Sequence, residues 1–126
     1  MTRFNKGQVP YGSYHSKLIL FEFEDVLRVI VGSANLTFSS WESLSQVFWV
    51  QDFPIGKCDS EFKRYLKGFM VEIVPLSVRG KKVYKQEIDL DRYDFSGAIV
   101  KLVGSVNGRY LAGDPKGMAY GSRRLR

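Results

Sequence analysis

The single histidine of the chain could take part in phosphoryl-transfer chemistry together with a lysine and an asparagine. His15 lies two residues before Lys17, and Asn35 follows within a Gly-Ser-Ala-Asn segment. A neutral imidazole nitrogen can attack phosphorus, and an ammonium and a carboxamide N–H can hold the non-bridging oxygens while charge builds on them. The same residues are also compatible with a surface histidine that has no chemical role, because short motifs often match by chance.

Two apolar runs separate the lysine from the asparagine and predict a β-hairpin. Residues 18–23 and 27–31 are apolar at nearly every position, as in strands buried on both faces, and a polar Glu-Asp pair stands between them. In an antiparallel pair the end of the second strand returns to the start of the first. The hairpin is therefore expected to place the asparagine beside the histidine and the lysine.

The remaining chain predicts further strands and one helix. We expect strands over residues 47–50, 71–74 and 98–103, and a helix that begins at Asp59 or Ser60. The expected apolar face of the helix holds Phe62, Leu66 and Phe69, with Lys63, Arg64 and Lys67 away from it. Both tryptophans, Trp41 and Trp49, are expected in the core. Strands and a helix in this order predict a layered α/β domain.

Composition narrows the class of protein. The 126 residues are 44% hydrophobic and carry a formal net charge of +6, which fits an anionic partner such as nucleic acid, or simply a charged soluble protein. One cysteine permits neither an intrachain disulfide nor a cysteine-based zinc cluster. The sequence contains no apolar run of the ~20 residues that a membrane helix needs and no secretory signal at its start. We therefore expect an intracellular, soluble protein.

The spacing His-Ser-Lys followed by Gly-Ser-Ala-Asn resembles the HxK…GSxN half-motif of the phospholipase D superfamily. Most members carry an aspartate five residues after the lysine, where this chain has Glu22. The tyrosyl-DNA phosphodiesterase family lacks that aspartate, and the segments YGSYHSKLIL and YDFSGAIVKLVGSVNGRY are similar to segments of that family. Tyr14 stands where the family usually has an additional histidine. A W…Q…W pattern formed by Trp41, Gln46 and Trp49 also resembles the family.

The resemblance implies a fold and a set of roles. The fold would be a layered α-β-α phospholipase-D-like domain with a mixed sheet. His15 would attack the phosphorus that joins DNA to a tyrosine, giving a phosphohistidine, while Lys17 and Asn35 bind the phosphate and Gln46 orients an active-site histidine. The DNA contacts implied by the family fall on Tyr11, which would stack on a base, and on Gly12 and Ser105, which would touch the backbone. Neither a metal nor a cofactor is expected.

The family builds its active centre from two such half-sites, whereas this chain has one histidine. We therefore expect residues 1–126 to be a partial N-terminal domain of a two-domain enzyme, with the second catalytic domain absent. The expected activity is hydrolysis of the 3′-phosphotyrosyl bond in nuclear DNA repair, on single-stranded DNA that bears a 3′ adduct such as a topoisomerase-derived peptide. The alternative is a catalytically incomplete nucleic-acid-binding fragment. A general phospholipase-D-type nuclease or lipase is a third reading, which Glu22 disfavours.

Overall fold

A three-stranded antiparallel sheet forms the centre of the described structure. The structure, a computed structural model, describes residues 17–73, 77–78, 81–82, 88–106, 113–115 and 119–125. Strands β1 (Lys17–Glu22), β2 (Val26–Gly32) and β3 (Phe48–Pro54) lie in the order β1-β2-β3, and every neighbouring pair is antiparallel. The predicted hairpin and third strand are confirmed. The parallel pairing that a mixed sheet requires is not found among the described strands.

The two faces of this sheet differ because successive strand side chains point to opposite sides. Leu27 and Val29 of β2 and Phe53 of β3 lie on one face and are fully buried. On the other face Arg28 binds Asp52 across the strands through two 2.7 Å hydrogen bonds, and Val50 is half exposed. The first face therefore forms the core.

A short helix α1 (Phe38–Glu42) precedes β3, and helix α2 (Glu61–Ile73) covers the core face. Ser60 caps it, since its Oγ accepts a hydrogen bond from the backbone N–H of Lys63 at 3.1 Å. The predicted start is thus confirmed, and so is the burial of the predicted apolar residues Phe62, Leu66 and Phe69. Two expectations are wrong. The helix continues through residues 71–73, where a strand was expected, and Lys63, expected away from the apolar face, is buried.

The buried Lys63 has an aromatic partner for its charge. Its Nζ lies 5.5 Å from the centroid of the Phe95 ring, so the aliphatic stem packs in the core while the ammonium sits over an aromatic face. Lys67, in contrast, meets solvent and pairs with Asp91 at 2.5 Å.

A segment distant in sequence closes the core. Phe95 packs on Phe53 and Phe62 with ring centroids 4.3 and 5.8 Å apart, and Tyr93 is fully buried beside them. Backbone hydrogen bonds tie this segment to the end of β3, from Asp94 N–H to the Pro54 carbonyl and from Gly56 N–H to the Arg92 carbonyl, both 2.9 Å. A short 3₁₀ turn, Leu90–Arg92, precedes it.

The strand expected over residues 98–103 is not formed. The chain turns after Phe95, whose carbonyl accepts a hydrogen bond from Ala98 N–H at 3.1 Å, and Ile99 is almost fully exposed. An apolar run becomes a strand only when a neighbouring strand pairs with it. Among the described residues none pairs with this run, so sequence composition alone was misleading.

The chain divides into two compact units, one of Met1–His15 with Leu102–Arg126 and one of Ser16–Lys101. The elements above belong to the second unit, which also holds a two-stranded antiparallel ladder of β4 (Ser77–Val78) and β5 (Lys81–Lys82). In the first unit a 3₁₀ helix spans Gly121–Leu125, and Gly121 N–H donates to the Gly104 carbonyl at 2.9 Å. None of the described helices is long and apolar enough to cross a membrane.

The lowered pKa values of three aspartates predict how the stability of the fold depends on pH. The hydrogen bond from Arg28 lowers the pKa of Asp52, that from Lys67 lowers the pKa of Asp91, and that from the Ser96 backbone N–H lowers the pKa of Asp94. Each folded-state pKa lies below its unfolded value, so the folded state binds fewer protons than the unfolded state. The stabilisation is complete above the ordinary aspartate pKa of about 3.9 and is lost as the pH falls through the lowered values.

We therefore expect the urea midpoint of unfolding to fall between about pH 6 and about pH 3. Asp94→Asn is the control, because its amide oxygen can still accept the Ser96 N–H but no longer titrates. The variant should show a smaller fall than the wild type. A midpoint that stays constant or rises on acidification would contradict the prediction.

Candidate active site

The hairpin brings two of the predicted phosphate-binding residues to one end of the sheet. Lys17 is the first residue of β1 and pairs with Gly32, the last residue of β2. Asn35 follows three residues after that glycine, and its side chain is exposed. The prediction that the second strand returns the asparagine segment to the lysine end of the first strand is confirmed.

Gly32 lets an aromatic ring lie against the end of the hairpin. A Cβ atom on this residue would stand 2.5 and 2.7 Å from ring atoms Cδ1 and Cε1 of Phe48, which pairs with it on β3. The Phe48 ring in turn stacks on Trp41, with centroids 5.0 Å apart and planes at 19°. The glycine therefore permits a close approach that any side chain would obstruct.

Ser33 and Gln46 close the loop that carries Asn35. The Ser33 hydroxyl donates to Oε1 of Gln46 at 2.5 Å and accepts the Val47 N–H at 3.1 Å, while the Ser33 N–H donates to the Val47 carbonyl at 3.1 Å. Nε2 of Gln46 donates to the Ser40 carbonyl at 2.9 Å. Gln46, near the end of the loop of residues 33–47, thus binds both the start of that loop at Ser33 and its middle at Ser40.

Trp41 holds the backbone of the predicted phosphate-binding asparagine. It belongs to the short helix α1 (Phe38–Glu42), and its indole N–H donates to the Asn35 carbonyl at 2.9 Å. Trp41 is 53% exposed, so the expectation that it is a core residue is wrong. Trp49 does face the core side, where its ring lies 5.8 Å from that of Phe62. The sequence pattern singled out Trp41, but only the loop conformation shows what it contacts.

Glu22, which stands where most of the superfamily has aspartate, contributes to the fold. Its Oε1 accepts a 2.7 Å hydrogen bond from the buried Tyr93 hydroxyl and lies 3.4 Å from Nη1 of Arg92. Burial, and then this hydrogen bond, raise the pKa of Tyr93. Glu22 is at the opposite end of β1 from Lys17, about 17 Å away at the rise of a strand. Its carboxylate therefore fixes the Tyr93 segment and does not approach the lysine end.

Of the other predicted DNA-binding and catalytic residues, three lie outside the described part of the chain and one lies within it. His15, Tyr11 and Gly12 lie outside the described residues, so their roles remain predictions. Ser105 is exposed and belongs to the unit that contains the Gly121–Leu125 turn. Lys17 and the Asn35 segment lie at the same end of the sheet, and an ammonium and a carboxamide are both groups that can hold phosphate oxygens.

Comparison with known proteins identifies the family. The model of the family described as Tyrosyl-DNA phosphodiesterase matches residues 2–126. The chain is 29% identical over 111 residues to Tyrosyl-DNA phosphodiesterase 1 of Arabidopsis thaliana, covering 79% of this chain and 18% of that protein. It is 27% identical over 127 residues to Tyrosyl-DNA phosphodiesterase 1 of Drosophila melanogaster, covering 95% and 22%.

The matches cover most of this chain but only a small part of each relative. The chain spans about a fifth of the length of the curated relatives it matches. No solved structure matches it significantly. The family model extends over nearly the whole sequence, and the β1–β2 hairpin of the chain joins the lysine and asparagine segments as expected. This chain therefore belongs to the tyrosyl-DNA phosphodiesterase family.

Proposed function

We propose that the chain contributes the first half-site of a phosphodiesterase that hydrolyses the bond between a DNA 3′ phosphate and a tyrosine. The observation that carries this proposal is the pairing of Lys17 with Gly32, which returns the Asn35 segment to the lysine end of β1. Both relatives are named Tyrosyl-DNA phosphodiesterase 1, and the family match spans the chain. The function belongs to DNA repair, in the nucleus.

The proposed first step is a nucleophilic displacement at phosphorus. The neutral imidazole of His15 forms a P–N bond as the bond between phosphorus and the tyrosine oxygen breaks, and that oxygen leaves with the electron pair. Lys17 and Asn35 hold the non-bridging oxygens, where charge increases in the transition state. Water then attacks phosphorus, the P–N electrons return to the imidazole, and the DNA keeps a 3′ phosphate.

The leaving tyrosine needs a proton, and this requirement separates two candidate functions. His15 is the one histidine of the 126 residues and is already assigned as the nucleophile, so in the proposed mechanism the acid comes from a second half-site. A single histidine therefore favours, as the second candidate, a nucleic-acid-binding fragment that does not complete turnover. The third reading, a general phospholipase-D-type enzyme, is less well supported because Glu22 is engaged by Tyr93.

The proposed partner is single-stranded DNA with a 3′ adduct, including a topoisomerase-derived peptide. Stacking of a base on Tyr11 and backbone contacts at Gly12 and Ser105 would bind the strand without reading its sequence. The net charge of +6 supports attraction to phosphates.

The test uses two labelled single strands, one ending in 3′-phosphotyrosine and one ending in a 3′-(4-nitrophenyl) phosphate. Nitrophenolate is a weak base and leaves without a proton donor, so it reports the nucleophile alone. We expect the wild-type chain to form a covalent protein–DNA adduct with the nitrophenyl strand, and His15→Ala to form none.

The two strands separate the candidate functions. An adduct from the nitrophenyl strand without turnover of phosphotyrosine indicates a functional nucleophile that lacks its acid. Turnover of both strands, dependent on His15, indicates a complete enzyme. Binding without any adduct supports the binding fragment, and an adduct that persists in His15→Ala would contradict the assignment of the nucleophile.

A further inference from the structure

The loop that presents Asn35 is fixed at several points of its backbone while the side chain stays exposed. The Ser33 N–H is bonded to the Val47 carbonyl at 3.1 Å, and Ala34 is 1% exposed. The Asn35 carbonyl accepts the indole N–H of Trp41 at 2.9 Å. The main chain is therefore constrained immediately before Asn35 and at Asn35 itself, an exposed residue.

Trp41 is itself held in place by a chain of contacts that begins in the sheet. Gly32 has no side chain, so the Phe48 ring lies over the end of β2, and Trp41 stacks on that ring at 5.0 Å. An aromatic stack of this kind fixes the plane of the indole and hence the direction of its N–H. The position of the Asn35 carbonyl is therefore linked through two rings to the register of the sheet.

We propose that Trp41 is a positioning residue, whose indole N–H holds the Asn35 backbone so that the carboxamide is preorganised to bind a phosphate oxygen. The inference rests on the proposed function, because it assumes that Asn35 binds phosphate. It goes beyond that function by assigning the preorganisation to one hydrogen bond and one stacked ring pair. Preorganised donors stabilise charge without a cost of reorientation, so losing the hydrogen bond should weaken phosphate binding.

Trp41→Phe is the informative variant, because phenylalanine keeps an aromatic ring against Phe48 and removes the N–H. Trp49→Phe is the matched control, since Trp49 packs on Phe62 at 5.8 Å on the core face. The probe is a fluorescent single strand with a 3′ phosphate, and the measurement is its Kd by fluorescence anisotropy. Each tryptophan variant is made in the wild-type chain and in Asn35→Ala.

We expect Trp41→Phe to weaken binding about threefold to tenfold in the wild-type chain, the range for one lost hydrogen bond. In the Asn35→Ala background it should change Kd by less than about twofold, because the residue it positions is gone. Trp49→Phe should leave Kd unchanged in both backgrounds. Thermal unfolding of each variant identifies any general loss of folding.

Asn35 also provides a direct readout. In ¹⁵N-labelled protein, the side-chain NH₂ signal that disappears in Asn35→Ala should shift on addition of inorganic phosphate, and the shift should be smaller in Trp41→Phe. If Trp41→Phe leaves Kd unchanged, or weakens binding equally with and without Asn35, Trp41 does not act through Asn35 and the inference is wrong. If Asn35→Ala binds as tightly as the wild type, the phosphate role of Asn35 fails first, and the positioning role fails with it.

Discussion

Phe95→Ala is expected to lower the free energy of unfolding by about 3–5 kcal/mol, the range for removing a buried phenylalanine. The side chain is fully buried and packs on Phe53 at 4.3 Å and on Phe62 at 5.8 Å between ring centroids. Its loss would leave a cavity against the Phe53 and Phe62 rings and remove the aromatic face beneath the Lys63 ammonium. A loss of this size is a large part of the stability of an ordinary small domain.

The measurement is equilibrium unfolding in urea, followed by tryptophan fluorescence. Ile99→Ala is the matched control, because Ile99 is a large apolar residue four positions away that is 95% exposed. It should change the free energy of unfolding by less than about 0.5 kcal/mol. Equal effects of the two substitutions would show that Phe95 does not close the core.

Lys17→Ala is expected to slow adduct formation on the nitrophenyl strand by about a hundredfold to a thousandfold, or about 3 kcal/mol, as for other removed donors to a developing oxyanion. The affinity for the strand should change far less, because the ammonium acts mainly on charge that appears in the transition state. The measurement is the single-turnover rate of nitrophenolate release together with Kd for the same strand.

Two further variants test whether the effect of Lys17 depends on its position or only on its positive charge. Lys17→Arg keeps the positive charge on a longer and planar group, and should recover part of the rate. Lys57→Ala removes an exposed lysine of the same unit outside the hairpin and should leave the rate unchanged. If Lys57→Ala slowed the reaction as much as Lys17→Ala, general electrostatic attraction would explain both effects, and Lys17 would lose its assigned role.

The parts of the fold that the sequence predicted are those governed by local pattern. The hairpin, strand β3 and the capped start of α2 follow from continuous apolar runs, a polar turn and a helical repeat of Phe62, Leu66 and Phe69. Two of the errors arose where a distant partner decides the outcome. Residues 98–103 form no strand because no described strand pairs with them, and Lys63 is buried because Phe95 lies beneath its ammonium.

The candidate site was predictable in its residue types and less so in its supporting contacts. The lysine and asparagine segments follow from motif spacing, and their meeting follows from antiparallel pairing. Two supporting contacts, Trp41 with the Asn35 carbonyl and Gln46 with Ser33, depend on the path of the 33–47 loop. That path follows no regular pattern of residues in the sequence. Glu22 was recognised as a departure from the superfamily pattern, but its partner Tyr93 is 71 residues away and has no signal in the sequence.

That separation of 71 residues sets an order of events during synthesis. The three strands of the sheet are complete once Pro54 has been made, but Tyr93 and Phe95, which close the core face, are added about forty residues later. At ordinary translation rates this interval lasts roughly 2–8 seconds. During this interval the nascent sheet exposes Leu27, Val29 and Phe53. Helix α2 covers these residues only in part once it has formed. This apolar face is the surface that a ribosome-associated chaperone would have to shield.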